Sequence, residues 1–378
     1  MDVEAVTTVS LHRQLDEPFA NAQKWIKSRE YCLVRVTTSE GVVGWGECWG
    51  PVAGNREIVE EYVKPWLIGK RVDDVQEIHD ELIFRLQSSY HSYVPASVIS
   101  GVDIALWDAY GKSVGKPVSR LLASHRRDEV EAYATGHFFR DVHDFEELQE
   151  VIVAEARSHV DAGFTSLKQK IGLARHFPWG LDEDIALVES VRDEVGEDID
   201  LMADANHAYT VAEAKRVARA LEELEVRFFE EPVPPKIEYY SRLNRETDIP
   251  LAAGECWAFQ HEFNRALQEG AVDYTQPDVT SAGGITSTHR IATISNSANV
   301  QCVPHAFGTP VALAATLQVL ATIPGTPRLE FDRMPNPIRD ELAVETITND
   351  GDIVHIPDGP GLGIQLDESS FEQFVMDS

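Results

Sequence analysis

Three acidic residues, Asp204, Glu230 and Glu255, each close a short apolar run, and they lie 26 and 25 residues apart. An interval of about 25 residues accommodates one strand, one helix and two short loops. Carboxylates at the same end of successive strands converge in space. Oxygen ligands with no nearby Cys or His suit a hard divalent cation. The spacing therefore predicts that these three residues bind Mg²⁺, and three matched positions disfavour the alternative of ordinary acidic surface residues.

Two lysines end an earlier apolar run. Lys168 and Lys170 flank Gln169, so a strand would place both lysines on one face. Two adjacent ammonium groups lower each other's pKa, which predicts that one of them is a neutral base near pH 7. The alternative, two lysines on the surface, is disfavoured because only 10 of the 33 basic residues are Lys.

A carboxylate and a histidine form the next predicted pair. Asp278 and His305 each lie at the end of a predicted strand and are 27 residues apart, which again matches one strand-helix unit. A carboxylate on the far nitrogen of a histidine fixes its tautomer and raises its basicity. The spacing predicts a His–Asp acid–base dyad, with a His satisfied at a loop start as the alternative.

Further polar residues end predicted strands in the same region. Asn206 shares a strand face with Asp204 and His207 follows it, and we expect both to bind substrate. Glu231 follows Glu230, but only one of the two can point inward, so Glu231 is expected to support the site from beside it. Glu330 can hydrogen-bond a substrate oxygen if it is protonated; a purely structural carboxylate is the alternative.

Together these residue types predict proton abstraction next to a carboxylate. A divalent metal would hold the substrate carboxylate, and the metal with cationic Lys168 would stabilise an enediolate. The lysines and the His–Asp pair would lie on opposite sides of the substrate. Two opposed acid–base groups allow either inversion at carbon or loss of a leaving group.

The elements that position these residues form an alternating pattern after residue 130. Helical runs such as 211–225 and 310–322 separate the strands, so the pattern predicts a closed parallel barrel with its active site at the carboxyl ends of the strands. The predicted strands cover residues 131–135, 165–170, 200–204, 227–230, 250–254, 272–276, 301–304 and 327–331.

The first 125 residues have a different, α+β pattern. Residues 31–37 and 42–47 predict a β-hairpin around the turn at Gly41, and residues 56–87 and 95–115 are helical by period. Residues 16–27 have no clear period and are interpreted as a loop. The domains are thus expected at 1–125 and 126–335, with a segment at 336–378 that returns to the first domain.

Composition limits the partners and the environment. The 378 residues carry a formal net charge of −30, which makes a nucleic-acid partner unlikely on electrostatic grounds. An acidic, Lys-poor surface indicates a halophilic cytosol, where salt screens the self-repulsion; a merely acidic cytosolic protein is the alternative. The four cysteines form no CxxC pair, and no signal peptide or membrane-spanning run is present, so a cytoplasmic enzyme is expected.

In these motifs the sequence resembles the mandelate racemase group of the enolase superfamily. The resemblance covers nearly the whole chain, including the helix at 100–108 and the tail at 360–364. It rests on Lys-x-Lys at 168–170, on metal ligands at Asp204, Glu230 and Glu255, and on the pair of His305 and Asp278. A glutamate at the end of strand eight corresponds to Glu330.

The resemblance implies an α/β fold, a (β/α)7β modified TIM barrel with an N-terminal α+β capping domain. It also implies Mg²⁺, a small acid sugar or other 2-hydroxy carboxylate as substrate, and a homo-oligomer. Capping-domain loops near 14–28 and 49–55 would determine specificity. Related muconate cycloisomerase-like enzymes carry a Lys where this chain has Asp278, which argues against cycloisomerase chemistry.

The leading hypothesis is a dehydratase of aldonates or aldarates. Lys170 would take the α-proton and His305 would protonate the departing β-hydroxyl, giving a 2-keto-3-deoxy acid. Dehydration is preferred because it is common among chains with a similar site. A racemase or epimerase needs the same two bases and stays open, as does a barrel that binds a carboxylate without turnover.

Overall fold

The computed structural model describes residues 1–90 and 95–375, apart from the side chain of Tyr90. The N-terminal part begins with an antiparallel sheet in the order β1-β2-β3, formed by β1 (Val3–Ala20), β2 (Trp25–Thr38) and β3 (Val43–Cys48). Helices follow as α1 (Val52–Ile58), α2 (Lys64–Leu67), α3 (Val75–Tyr90), α4 (Ala96–Ser113) and α5 (Val118–Leu122), with a π-helical turn at Val59–Val63.

The long helix α4 packs on the sheet at very short range. A Cβ at Gly46 of β3 would lie 1.9 Å from the carbonyl oxygen of Gly101 in α4, so no larger residue fits there. Nearly all of α4 is buried between the sheet and the second domain. Close packing of this kind explains why the helix at 96–113 is so apolar and carries so little amphipathic signal.

Two local predictions for this domain were wrong. The segment 16–27 is not a loop, because β1 and β2 continue through it and pair Phe19 with Ile26 and Ala20 with Trp25. A register shift between Gln14 and Phe19 interrupts the alternating pattern, which hides the strands from a period-two reading. The helix expected over 56–87 breaks around Gly69, whose φ is +83°, where the chain bonds back to Val3.

The second domain contains eight parallel strands that alternate with helices. Their ladder runs β11-β4-β5-β6-β7-β8-β9-β10, which is the strand order of a barrel, and among the described residues no ladder joins β10 to β11. Ala306, after β10, nevertheless donates to the Glu330 carboxylate of β11 at 3.4 Å. The strands are β4 (Glu129–Thr135), β5 (Ser166–Lys170), β6 (Asp200–Asp204), β7 (Phe229–Glu230), β8 (Leu251–Ala253), β9 (Tyr274–Thr275), β10 (Gln301–Cys302) and β11 (Arg328–Asp332).

Each of the first seven parallel strands, β4 to β10, leads into a helix. The helices are α6 (Phe145–Asp161), α7 (Leu181–Val195), α8 (Val211–Glu223), α9 (Ile237–Asn244), α10 (Phe259–Gln268), α11 (Gly284–Ser297) and α12 (Pro310–Leu320), with a short 3-10 turn at Leu173–Arg175. A capping box defines the start of α8. Thr210 Oγ1 accepts a hydrogen bond from the Glu213 amide, and the Glu213 carboxylate accepts one from the Thr210 amide. The predicted alternation of strands and helices is thus present throughout.

The chain ends with α13 (Pro337–Glu341), the hairpin of β12 (Asn349–Asp350) and β13 (Ile353–His355), and a 3-10 turn at Ser370–Gln373. Parts of this segment return to the first domain. Val375 forms a β-bridge with Leu11, and the Leu362 amide donates a 2.9 Å hydrogen bond to Asp108 Oδ1 of α4. Among the described residues, no helix has the length and apolar content needed to cross a lipid bilayer.

Two buried polar contacts fix the first domain over the barrel. Glu47 of β3 accepts hydrogen bonds from Thr309 and Ala312 at the start of α12, and its pKa is raised to about 8 because burial outweighs those bonds. Arg29 of β2 forms a buried ion pair with Asp332 of β11 at 2.9 Å. Both contacts lie at the carboxyl ends of the barrel strands, so they hold the capping sheet above that end.

We expect Asp332→Asn to lower the free energy of unfolding by about 3–5 kcal/mol, because it leaves the Arg29 guanidinium buried without a counter-charge. The matched control is Asp182→Asn, which removes the partner of Arg216 in a largely exposed pair, and such pairs contribute at most about 1 kcal/mol. Urea denaturation of both variants measures the difference. Equal losses of stability would show that the Arg29–Asp332 pair does not hold the two domains together.

Candidate active site

The predicted residues at the ends of β5, β6 and β7, the second to fourth barrel strands, are direct neighbours in the sheet. Lys170 is the register partner of Asp204, and Asp204 is the register partner of Glu230. Each is the last residue of its strand, and all three side chains are buried. The carboxyl ends of parallel strands meet at one edge, and this edge therefore collects the charged residues in a space shielded from water.

Lys168 lies at the centre of the charged group. Its Nζ is 2.6 Å from Glu230 Oε1 and 2.6 Å from Glu330 Oε1, and it lies 5.5 Å from the centre of the Tyr133 ring. Burial lowers the pKa of Lys168, but the charges of Glu230 and Glu330 outweigh it and raise the pKa well above the usual value. Two carboxylates, one on β7 and one on β11, thus favour the cationic form of Lys168.

Lys170 does not behave as the sequence predicted. The expectation was that a neighbouring ammonium lowers the pKa of one lysine to near neutrality. Burial and Lys168 do lower the pKa of Lys170, but its Nζ contacts Asp204, and that carboxylate leaves the pKa raised. The same contact, with the charge of Lys168, outweighs burial and lowers the pKa of Asp204 to about 2. The prediction considered only the two lysines and left out Asp204, which lies on the next strand.

Glu330 is also in a different state from the one considered in the sequence. Burial raises its pKa, but the charges of Lys168 and His305 prevail and lower the pKa to about 2. It accepts hydrogen bonds from Thr135 Oγ1 at 2.7 Å and from the Ala306 amide. Glu330 is therefore an ionised acceptor that holds Lys168, so the protonation on which its predicted donor role depended is not favoured.

The His–Asp pair has the predicted contact. His305 Nδ1 lies 2.5 Å from Asp278 Oδ2, while Asp278 Oδ1 accepts from the amide and hydroxyl of Thr280. Burial lowers the pKa of His305, but the charges of Glu255, Glu330 and Asp278 raise it to about 10. The imidazole also stacks on Phe307, with ring centres 5.1 Å apart. These contacts produce an oriented, protonated histidine, which is a suitable general acid.

The three predicted metal ligands converge on one region but face different partners. Asp204 contacts Lys170, and Glu230 Oε2 accepts from Gln276 Nε2 at 2.5 Å. Glu255 Oε2 lies 3.3 Å from His305 Nε2. Within residues 1–90 and 95–375, these three do not form a group whose ligand atoms all lie within 4.8 Å of one another.

The donor chemistry nevertheless fits a hard cation. Burial, followed by the charge of neighbouring carboxylates, raises the pKa of Glu255 to about 7, and the pKa of Glu230 is raised mainly by burial. Asp204 and Glu230 are buried and Glu255 is partly buried, so these neighbouring carboxylates repel one another and a divalent cation would relieve that repulsion. Oxygen donors of this kind suit Mg²⁺, so Asp204, Glu230 and Glu255 are an appropriate set for it.

The two predicted substrate-binding residues separate in the structure. Asn206 stays beside Asp204, whose Oδ1 accepts from its amide at 2.9 Å, and its own Oδ1 is buried without a hydrogen-bond partner. His207 instead contacts Glu231 at 3.1 Å and Cys256 at 3.4 Å. The premise that no Cys or His lies near the acidic residues was therefore wrong.

Several residues of the site were missed from the sequence. Gln276, which binds Glu230, precedes Asp278 by two positions, and strand alternation could have placed both on one face. Trp49 of the capping domain meets His305 edge-on, with ring centres 5.7 Å apart, and Phe138 lies 5.0 Å from Lys170 Nζ. Single aromatic residues in loops carry no spacing signal, so only the tertiary structure identifies them.

Two family models cover most of the chain. One describes the mandelate racemase / muconate lactonizing enzyme N-terminal domain and matches residues 3–123, and the other describes an enolase C-terminal domain-like unit and matches residues 151–370. These matches confirm the predicted fold class, a capping domain followed by a (β/α) barrel.

Several characterised proteins are similar over the full length. D-galactarolactone cycloisomerase of Agrobacterium fabrum is 38% identical, with 100% of this chain and 99% of that protein covered. Arabinonate dehydratase of Saccharolobus solfataricus is 32% identical, with 91% and 90% covered. D-xylonate dehydratase of Haloferax volcanii is 31% identical, with 92% and 86% covered.

Solved structures show the same architecture. The 3,6-anhydro-D-galactonate cycloisomerase from Zobellia galactanivorans has a TM-score of 0.89 and 33% identity, with 100% of both chains covered. A racemase from Streptomyces coelicolor A3(2) with bound magnesium has a TM-score of 0.87 and 26% identity, with 99% and 100% covered. From its motifs, its family models and these relatives, the chain belongs to the enolase superfamily, in its mandelate racemase group.

Proposed function

We propose that the protein is an Mg²⁺-dependent acid sugar dehydratase, a carbon–oxygen lyase acting on an aldonate or aldarate. The observation that carries the proposal is the placement of two proton-transfer groups against one acidic cluster. Lys170 contacts Asp204, while His305, held by Asp278, contacts Glu255. The dehydratases of arabinonate and xylonate among the similar proteins support an acid sugar as substrate.

In this proposal Asp204, Glu230 and Glu255 hold Mg²⁺, which supplies Lewis-acid stabilisation of charge on the substrate carboxylate. The magnesium in the similar racemase supports this assignment. Lys168 is fixed by Glu230 and Glu330, so its positive charge is available to oppose charge developing on the substrate. Asn206 offers an unpaired buried oxygen to a substrate hydroxyl.

The proton transfers balance as a β-elimination. Lys170 in its neutral form accepts the proton from the α-carbon, and the carbon–oxygen bond at the β-carbon breaks. His305 gives its proton to the departing hydroxyl, which leaves as water, and the enol product tautomerises to a 2-keto-3-deoxy acid. The charge of Lys168 favours neutral Lys170, whereas the contact with Asp204 opposes it.

A cycloisomerase is the second candidate, because the cycloisomerase of Agrobacterium fabrum covers the whole chain at 38% identity. This similarity weighs against the sequence-based argument that Asp278 disfavours cycloisomerase chemistry. When the departing β-oxygen belongs to a sugar ring, the same elimination opens the ring and the oxygen stays attached. Lys170 then remains the base and His305 the acid, and the net reaction is an isomerisation.

A racemase or epimerase uses the same two groups for inversion, and a barrel without turnover would use neither.

We expect Lys170→Ala to lower kcat by about 10²–10⁴-fold, since it removes a proton-transfer group. The control is Lys215→Ala, which removes a lysine of α8 that pairs with Glu246 away from the strand ends. Undiminished turnover by Lys170→Ala would refute the assignment of the base.

The substrate is identified by incubating the Mg²⁺-bound protein with open-chain, lactone and anhydro acid sugars. Dehydration gives a 2-keto acid that is lighter by one water, whereas ring opening gives a 2-keto acid of unchanged mass. Exchange of the α-proton in D₂O without keto acid would favour the racemase. No conversion and no exchange of any acid sugar would count against the enzyme hypothesis as stated.

The pH dependence tests the His–Asp pair. His305 has a raised pKa of about 10, so its protonated form is present below that pH and is lost above it. We expect Asp278→Asn to move the alkaline limb of the kcat profile to lower pH, because one of the charges that raise this pKa is removed. If the limb does not move, His305 is not the acid that limits turnover.

We further propose that the protein functions at high salt, as its net charge of −30 suggests. Concentrated KCl screens repulsion between exposed carboxylates. The melting temperature should therefore rise from dilute buffer to concentrated KCl. A melting temperature that is independent of KCl would favour an ordinary acidic protein.

A further inference from the structure

A second cluster of metal-ligating side chains lies beside the acidic residues. His207, Glu231 and Cys256 each offer one ligand atom, and these atoms all lie within 4.8 Å of one another. His207 Nε2 is 3.1 Å from Glu231 Oε1 and 3.4 Å from Cys256 Sγ. Within residues 1–90 and 95–375, this is the one such group of His, Cys, Asp and Glu.

The separations match those of a tetrahedral zinc site. With zinc–nitrogen and zinc–oxygen bonds of about 2.0–2.1 Å and a zinc–sulfur bond of about 2.3 Å, tetrahedral angles place N and S about 3.6 Å apart and N and O about 3.3 Å apart. The observed values of 3.4 and 3.1 Å differ from these by a few tenths of an ångström. Binding would therefore need only a small adjustment of side chains.

The histidine is oriented for this task by its other nitrogen. His207 Nδ1 lies 2.9 Å from the carbonyl oxygen of Val233, which can only accept a hydrogen bond. Nδ1 therefore carries a hydrogen, and Nε2 is the ring nitrogen that faces Glu231 and Cys256. Donation from the second ring nitrogen to a backbone carbonyl is the usual support for a metal-binding histidine.

The cluster differs in chemistry from the predicted magnesium ligands. Glu231 and Cys256 directly follow Glu230 and Glu255 in the chain, so the two sets are adjacent. A thiol and an imidazole select a borderline-soft cation, whereas three carboxylates select a hard one. Cys256 is exposed, in contrast to the buried thiols of the other three cysteines, and it leaves an approach for the cation and for water as a fourth ligand.

We propose that His207, Glu231 and Cys256 bind a thiophilic divalent cation such as Zn²⁺, separately from the magnesium site. On binding, the sulfur–hydrogen bond of Cys256 is replaced by a sulfur–metal bond, and the thiol proton passes to solvent. Glu231 contributes an oxygen, and His207 binds through Nε2 after the proton that Nε2 shares with Glu231 also passes to solvent. No oxidant or other reactant is needed.

The test uses Co²⁺ as a spectroscopic probe for Zn²⁺, added to protein saturated with Mg²⁺. A thiolate bound to Co²⁺ produces a near-ultraviolet charge-transfer band, which the all-oxygen magnesium site cannot give. We expect the band to saturate at one equivalent of Co²⁺ and to disappear when Zn²⁺ displaces the probe. Cation binding should also release protons into weakly buffered solution, because the thiol and the Nε2 of His207 both lose theirs.

Variants assign the ligands. Cys256→Ser should abolish the charge-transfer band, and His207→Asn should weaken Co²⁺ binding at least tenfold. His355→Asn, which changes a largely exposed histidine near Glu129, should leave both unchanged. Thermal unfolding of each Mg²⁺-bound variant shows whether it is folded. Absence of the band in the unmodified protein, or its persistence in Cys256→Ser, would overturn the proposal.

Discussion

The site depends on balancing buried charge at the carboxyl ends of the barrel strands. Asp204, Glu230 and Glu330 are completely or almost completely buried, and Lys168 and Lys170 are buried with them. Isolated charges in such surroundings are very unfavourable, whereas paired ones are tolerated. The lysine–carboxylate contacts are therefore the reason that this many ionised groups can share one water-poor region.

Parallel strand register is what brings these charges into contact. Lys170, Asp204 and Glu230 are successive register partners on three neighbouring strands. Beneath them, the barrel interior is filled by apolar side chains, including Tyr133, Met202 and Phe228. The charged layer thus lies on a packed apolar layer.

The capping domain contributes rigidity and one aromatic wall. Glu47 binds the start of α12 and Arg29 binds Asp332, while Trp49 lies against His305. These contacts come from strands β2 and β3 and from the loop after β3. The capping sheet is therefore packed against the part of the barrel that carries the His–Asp pair. Both domains therefore border the site, although Lys170, Asp278 and His305 all belong to the barrel.

The adjacency of two kinds of ligand set follows from the same strand geometry. Glu231 and Cys256 come directly after Glu230 and Glu255 in the chain, and their side chains contact His207. Neighbouring positions of a strand end can thus serve two cations of different hardness. The positive φ of His207 and Glu231, +64° and +42°, belongs to this turn away from the barrel interior.

The sequence by itself determined the order of strands and helices in the barrel, the fold class, and the ends of the strands to within about two residues. It could do so because these features depend on period and spacing, which are local properties of the chain. Segment 16–27 shows the limit, since a register shift removed the alternating pattern that identifies a strand.

Only the tertiary structure decided how the charges pair. The pKa of Lys170 is raised because Asp204 lies on the next strand, Glu330 is ionised because Lys168 and His305 face it, and His207 turns toward Cys256. Electrostatic energies depend on distances between residues that are remote in sequence and on burial. Residue type and spacing predict which groups meet, but not which protonation state they hold when they do.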